Sequence, residues 1–237
     1  MLRDAILLTG AGQRLGFYHA QRFLDAGFAL VVTYRTPRPS IEILAQAGAL
    51  TIQADFSTPE GIERFIETLH SQVQSLRCII HNASVWLTDA DLEADPACFD
   101  TLFNLHVRAP YRINLACAGL LQACSAPFAD IIHITDTALQ KGSATRSAYL
   151  ASKAALDSLT LSHAARLAPK IKVNSIAPGL ILFNEGDSTT YRQDRLSRSA
   201  LGFEPGPDVI WQSIRYLMDN SFITGSTLTV DGGRKIK

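Results

Sequence analysis

Short apolar runs alternate with longer helical patterns along most of this chain, and that alternation narrows the architecture before any single residue is weighed. Segments 5–9, 29–33, 50–54, 78–81, 130–135, 173–176 and 227–230 read as strands. Several carry Ile, Val and Leu at successive positions, so both of their faces must be covered, as in a parallel sheet flanked by helices. The intervening stretches carry helix signals. Segment 17–26 is followed by Gly27, a natural terminator. Thr58-Pro59-Glu60 supplies an N-cap, a first-turn proline and an acid that complements the helix dipole, and Asp95-Pro96 repeats that start. The Ala- and Leu-rich run 148–168 stops before Pro169. Such alternation predicts an α/β fold of the Rossmann type: a doubly wound parallel sheet, three layers α/β/α, in a single domain over 1–237. Only 183–206 departs from the pattern. It is polar, mixed in charge and ends in Glu204-Pro205-Gly206-Pro207, which predicts a substrate lid.

Bulk properties exclude several function classes. Lys plus Arg and Asp plus Glu each number 22, so the formal net charge is zero, without the basic surplus of a general nucleic-acid binder. No apolar run reaches the length of a membrane span. Met1-Leu2-Arg3-Asp4 runs almost directly into a strand, leaving no room for a signal peptide's apolar stretch. Cys78, Cys98, Cys117 and Cys124 form no CxxC pair and read as reduced, packed thiols of a cytoplasmic protein. The six histidines show no metal-ligand spacing, so no metal is expected.

The first strand runs into Thr9-Gly10-Ala11-Gly12-Gln13-Arg14-Leu15-Gly16, and a helix follows. Small residues there let the backbone approach a pyrophosphate, and the helix N-terminus offers free N–H groups to it. Glycines alone also make ordinary tight turns; the strand–turn–helix setting favours a dinucleotide site. An NAD site usually places an acid at the end of the second strand. Here that region reads Val31-Val32-Thr33-Tyr34-Arg35-Thr36, and no acid occurs between Asp25 and Glu42. Arg35 can pair with a 2′-phosphate, which points to NADPH; its bland alternative is a solvated loop residue. Further on, Tyr149-Leu150-Ala151-Ser152-Lys153 puts Tyr149 and Lys153 on one helical face. A nearby ammonium is expected to favour phenolate and make the tyrosine a better acid.

These motifs together resemble the short-chain dehydrogenase/reductase family from end to end. The resemblance includes Ala54-Asp55-Phe56 after the third strand, His81-Asn82-Ala83-Ser84 after the fourth, Asn174-Ser175-Ile176-Ala177-Pro178-Gly179, and the ending Ile223-Thr224-Gly225 through Val230-Asp231-Gly232-Gly233. It implies cofactor contacts from Gly10, Gln13, Arg14, Leu15 and Gly16, from Tyr34, Arg35 and Thr36, and from Asp55 and Phe56. It implies others from Asn82, Ala83 and Ser84, from Thr135, Tyr149 and Lys153, and from Pro178, Gly179 and Ile181. It also implies a homotetramer.

Three departures from the family pattern resemble its pteridine reductase branch. The usual third turn glycine is replaced, giving Arg14-Leu15-Gly16; Asp136 stands where the catalytic serine usually lies; and Trp86 closely follows Asn82-Ala83-Ser84. The implied chemistry is hydride transfer from NADPH to a 7,8-dihydropterin, dihydromonapterin above others, with Tyr149, Lys153 and Asp136 catalytic. Substrate contacts are expected from Arg14, Ser84, Trp86, Asp136, Tyr149 and Phe183. Trp86 would give a stacking platform or be a packed aromatic; Arg14 would reach the pterin or bind phosphate only; Asp136 would meet the pterin or merely cap a turn. The proton at N5 comes from Tyr149 or from water. His106 occupies the position of the family's relay asparagine, with Asn104 two residues earlier, and reads equally as a relay or a packed histidine. A carbonyl reductase and a non-catalytic NADPH sensor are the competing classes. Asp136 speaks against the first and the intact Tyr149/Lys153 pair against the second.

Overall fold

The computed structural model describes all 237 residues apart from the side chain of Gln140. Seven strands, β1 (Ala5–Leu8), β2 (Leu30–Tyr34), β3 (Leu50–Gln53), β4 (Leu76–His81), β5 (Ala129–Ile134), β6 (Ile171–Pro178) and β7 (Thr227–Val230), form one sheet in the order β3-β2-β1-β4-β5-β6-β7. Every pairing is parallel. The helices are α1 (Arg14–Asp25), α2 (Pro39–Gln46), α3 (Pro59–Gln72), α4 (Asp89–Ala94), α5 (Ala97–Phe103), α6 (Ala109–Ala116), α7 (Ala118–Gln122), α8 (Ser147–Leu167), α9 (Thr189–Ser197) and α10 (Asp208–Asp219). Between α5 and α6 the backbone widens into a π-helical turn, Asn104–Arg108.

Successive strand residues feed opposite layers. Leu7, Ile79 and Ile131 pack with Phe65, Leu69 and Ile113 on one side, while Ile6, Ile80 and Ile132 pack with Phe23, Leu44 and Ile214 on the other. That division explains the apolar residues at successive positions of β1, β2, β4 and β5. Local signals set the helix ends. Thr58 caps α3 by accepting the Gly61 N–H at 3.1 Å. After α1, Gly27 takes φ +77, its N–H bonding to the Leu24 carbonyl and that of Phe28 to the Phe23 carbonyl, the paired closure of a Schellman motif.

Two strands are longer than the sequence suggests. β4 begins at Leu76 rather than 78, and β6 at Ile171 rather than 173. The additions carry Arg77 and Lys172, charges that end a strand when only apolar patterning is read. Both converge on buried Asp130 of β5: Arg77 bonds one carboxylate oxygen, and Lys172 lies 3.0 Å from the other. Arg77 and Lys172 also donate to carbonyls of Met218, Leu217 and Asn220, tying the end of α10 to the sheet. The segment 183–206 holds α9, capped by Ser188. Among the described residues no helix is long and apolar enough to cross a membrane.

Removing one partner of a buried ion cluster strands the others, at a cost of about 3–5 kcal/mol. Asp130→Ala is therefore expected to lower the thermal midpoint by roughly 10 °C, measured by calorimetry on the purified variant.

Candidate active site

Strand order reverses between β1 and β4, and the crevice beyond the strand C-termini at such a point is where α/β sheets bind ligands. Here the junction is clamped. The Thr9 hydroxyl accepts the N–H groups of Asn82 and Ala83, each at 3.0 Å. In return the Asn82 amide donates to the carbonyls of Thr9 and Gly10 at 3.0 and 3.1 Å. The turn lies so close to β4 that a Cβ on Gly10 (φ +72) would come within 2.7 Å of the Ala83 Cα, and one on Gly16 within 2.1 Å of the Gly10 carbonyl.

This turn meets the requirements of a cofactor pyrophosphate. No side chain caps the N-terminus of α1 at Gln13 and no acid stands in its first turn, so Leu15 and Gly16 begin a helix whose N–H groups are open to an anion. Arg14 holds φ +52, the left-handed backbone that a glycine would adopt without strain. Its guanidinium donates to Asn184 and, at 3.0 Å, to the Leu182 carbonyl, reaching across the crevice to the chain after β6. Arg35 and Thr36 are exposed beyond β2 and Tyr34 is half-buried. Arg38, which sequence reading passed over, lies beside the turn: its Cδ is 3.5 Å from where a Cβ on Gly12 would stand. Its one signal was a second arginine three residues after Arg35. Together they offer two guanidinium groups to a 2′-phosphate.

Asp55 accepts the N–H and hydroxyl of Ser57. Burial pushes its carboxyl up, but Ser57 and the Arg35 charge outweigh this and leave it below the usual range. Phe56 turns inward onto Phe65, ring centroids 5.1 Å apart, so only its backbone can face the crevice. Thr135 is buried and donates to the Ile176 carbonyl. Pro178 and Gly179 end β6, the Gly179 N–H bonding to Val230, while Ile181 packs into the core.

The candidate reactive groups lie past β5. α8 starts without a side-chain cap of its own at Arg146. Asp89 of α4 supplies one, accepting the N–H and hydroxyl of Ser147, each at 2.9 Å. Two turns of α8 then present Tyr149 and Lys153, both buried. Lys153 Nζ donates to the Ile134 carbonyl at 2.8 Å, and burial lowers its pKa to about 8 against the pull of Asp136. Tyr149 departs from expectation. Its hydroxyl donates to Asp136 Oδ2 at 3.2 Å, and its pKa is pushed up, not down, by burial and then by the Asp136 charge. The other oxygen, Oδ1, accepts the Ala138 N–H at 2.7 Å, so Asp136 both caps a turn and engages the tyrosine.

His106 sits on the π-helical turn and faces the site, whereas Asn104 turns away to donate to the Ser57 carbonyl at 2.7 Å. The donors around His106 assign its tautomer. Ser152 gives its only hydroxyl proton to the Tyr149 carbonyl at 2.7 Å, so it must accept from His106 Nδ1–H, 2.8 Å away. Nε2 is then the acceptor, receiving the Val85 N–H and the Ser84 hydroxyl, the latter at 2.9 Å. Burial and the Lys153 charge keep the ring neutral. Ser84 is left with oxygen lone pairs toward the site. Trp86 is 58% exposed, hence no core residue, with the Arg146 guanidinium 5.3 Å over its ring. Phe183 belongs to the segment beyond β6, beneath Arg192 at 5.0 Å and near Tyr191. Among the described residues, no group of three or more His, Cys, Asp or Glu is placed to hold a metal.

A buried Tyr/Lys pair beside a glycine-lined dinucleotide cradle defines a reductase of the short-chain dehydrogenase/reductase family, and the chain belongs to that family. The family model described as enoyl-(acyl carrier protein) reductase matches residues 10–235. More particularly, the chain is 46% identical over 232 residues to the dihydromonapterin reductase of Klebsiella pneumoniae, covering 98% of this chain and 97% of that one. It is 47% identical over 234 residues to the Enterobacter sp. enzyme of the same name, covering 98% and 96%. Among solved structures it resembles the FolM alternative dihydrofolate reductase 1 of Brucella canis, complexed with NADP, at a TM-score of 0.87 and 25% identity, over 98% of this chain and 94% of that one.

Two measurements test the cofactor assignments. A charge-assisted phosphate contact contributes about 1.5–3 kcal/mol. Arg35→Ala and Arg38→Ala should thus each weaken NADPH binding about tenfold or more and leave NADH binding unchanged, followed by nucleotide fluorescence. Equal losses for both nucleotides would remove the 2′-phosphate from this corner. The second concerns pH. Because the Lys153 ammonium is depressed to about 8, its charge is present below that pH and lost as pH rises through it. An alkaline fall in kcat/KM centred near pH 8 is expected, and it should vanish in Lys153→Arg, whose charge does not titrate there.

Proposed function

We infer that this protein reduces 7,8-dihydropterins with NADPH, dihydromonapterin among them. The hydrogen bond from Tyr149 to Asp136 carries this reading. A carbonyl reductase aims donors at the substrate oxygen, normally a serine and a tyrosine hydroxyl. Here the serine position holds a carboxylate, which cannot donate when ionised, and the Tyr149 proton points at that carboxylate. Ser84 likewise gives its proton to His106. Asp136 and Ser84 thus present acceptors, which match the N–H and amino groups along the edge of a pterin and do not match a ketone oxygen. The names of the Klebsiella and Enterobacter relatives point to the same substrate.

Bound NADPH supplies the hydride, received at C6. Lys153, anchored on the Ile134 carbonyl, would bind the nicotinamide-side ribose and hold positive charge there. Hydride addition makes N5 strongly basic, so that even a phenol of raised pKa is acid enough to protonate it, and Tyr149 holds that proton at its hydroxyl oxygen. Asp136 retains Tyr149 as phenol until then. Trp86 offers a flat exposed face to the pterin ring, Arg14 links the phosphate turn to the chain after β6, and the 183–206 segment with Phe183 closes the mouth as a lid. The reading includes a cytoplasmic location, in keeping with four free thiols. It also includes a homotetramer, in keeping with the exposure of Leu161, 60%, on the outer face of α8.

Trp86→Ala and Asp136→Ser are each expected to lower kcat/KM for dihydromonapterin by one to two orders of magnitude, about 1.5–3 kcal/mol. NADPH affinity should stay unchanged. Steady-state kinetics against dihydromonapterin and a panel of ketones decides the matter: faster reduction of a ketone by the unmodified protein would replace the pterin reading with a carbonyl one.

A further inference from the structure

A cavity of about 180 Å³ opens beside the turn that follows Asp136. Five cations line it, Lys141, Arg146, Arg198, Arg234 and Lys235, and no acid does. They arrive from three separate parts of the chain: the loop between β5 and α8, the end of α9, and the C-terminal tail. Bringing like charges together from distant segments opposes folding unless something answers them. Asp194 answers Arg198 at 2.7 Å. Lys141 donates to the carbonyls of Arg234 and Lys237, which orients its ammonium without neutralising it. Arg234 is pulled below the ordinary guanidinium range by burial and by Arg195, Arg198 and Arg146, with Asp136 the one acid pulling it up.

The cavity's position relates it to the substrate. Its wall includes Thr137 and Ala138, and the Ala138 N–H is held by catalytic Asp136. Arg146, also in the wall, lies over Trp86. In a dihydropterin the side chain is attached at C6, the carbon that receives hydride, so it leaves the ring beside N5 and hence beside Tyr149 and Asp136. A neutral triol side chain needs hydrogen-bond partners but not five cations.

We propose that this cavity receives an anionic group at the end of the substrate's C6 side chain: a phosphate ester on a short polyol arm, or a carboxylate on a longer one. The proposal rests on the dihydropterin reading above. A phosphate monoester carries roughly −1.5 to −2 charges near neutral pH, and planar guanidinium groups match its geometry. The enzyme thus acts next to a step that adds or removes that anionic group, and the cations select the charged form.

The test compares three substrates with NADPH: dihydromonapterin, its 3′-phosphate ester, and dihydrofolate, whose arm ends in glutamate. It uses the unmodified protein, the double variant Arg234→Gln/Lys235→Gln, and Arg198→Gln as an independent exposed substitution. At least one anionic substrate should show kcat/KM about tenfold or more above dihydromonapterin. That advantage should shrink in both variants and in raised salt, while dihydromonapterin turnover stays within about twofold. Preference for the phosphate ester identifies a phosphate, and preference for dihydrofolate a carboxylate. Equal rates for all three, unmoved by the substitutions, overturn the proposal. If no dihydropterin is reduced at all, the functional reading itself fails, and calorimetry of inorganic tripolyphosphate against the NADPH-saturated protein decides the cavity alone. Binding lost in the double variant upholds an anion site; binding that is absent, or equal in both proteins, overturns it.

Discussion

The hydroxyl of Thr9 is the point on which the crevice depends. It joins the end of β1 to the chain leaving β4, the two strands between which the connections diverge to opposite sides of the sheet. Because Asn82 returns two hydrogen bonds to the turn, the phosphate cradle and Ser84 are set at a fixed separation by two short side chains, Thr9 and Asn82, each bonded to the backbone of the other segment. The closeness leaves no space for a Cβ at Gly10 or Gly16, so the glycines here follow from a strand junction as much as from a ligand.

On the other wall of the crevice, one carboxylate changes the character of a common pair of residues. A buried lysine next to a tyrosine ordinarily favours phenolate. Asp136, half-buried beside them and accepting from Tyr149, reverses the balance, since its charge lies in direct contact and the burial of Tyr149 itself opposes a phenolate. Beneath it, Ser152 fixes the proton on one nitrogen of His106, and the other nitrogen fixes the proton of Ser84. Each polar group at the site has its donor and acceptor roles decided by a neighbour one layer deeper. The result is an acceptor-rich surface built from residues that in other settings would donate.

Much of the fold was legible in the sequence because strands covered on both faces leave an unbroken apolar record, and because Thr58 and Gly27 sit where local chemistry alone sets a helix end. The strand starts that include Arg77 and Lys172 were not legible: the burial of these charges depends on Asp130, more than forty residues away in each case, which no local pattern reports. The same holds for α8, whose cap comes from Asp89, 58 residues earlier. At the site, Tyr149, Lys153, Asn82 and the glycine turn could be found from spacing and order. The direction of the Tyr149 shift could not, since it depends on which neighbour is in contact. Whether His106 is a relay or a packed histidine could not be read in sequence; the π-helical turn aims it at Ser84 and sends Asn104 away. Phe56 reads in sequence as a cofactor contact, and its packing on Phe65 leaves only the backbone for that role.

Arg14 shows how a single position can carry two energies of opposite sign. Its backbone sits in the left-handed region, where a side chain costs about 1–2 kcal/mol relative to relaxed conformations, and a glycine would relieve that cost at once. Its guanidinium, however, spans from the phosphate turn to Leu182 and Asn184, acceptors 168 and 170 residues away in the chain. A glycine in its place would give a more comfortable turn and a molecule whose two rims are no longer fastened. Local ease and long-range connection are exchanged at this residue, so thermal stability alone would be a poor guide to what it does: a substitution neutral by melting could still leave the mouth of the crevice free to drift.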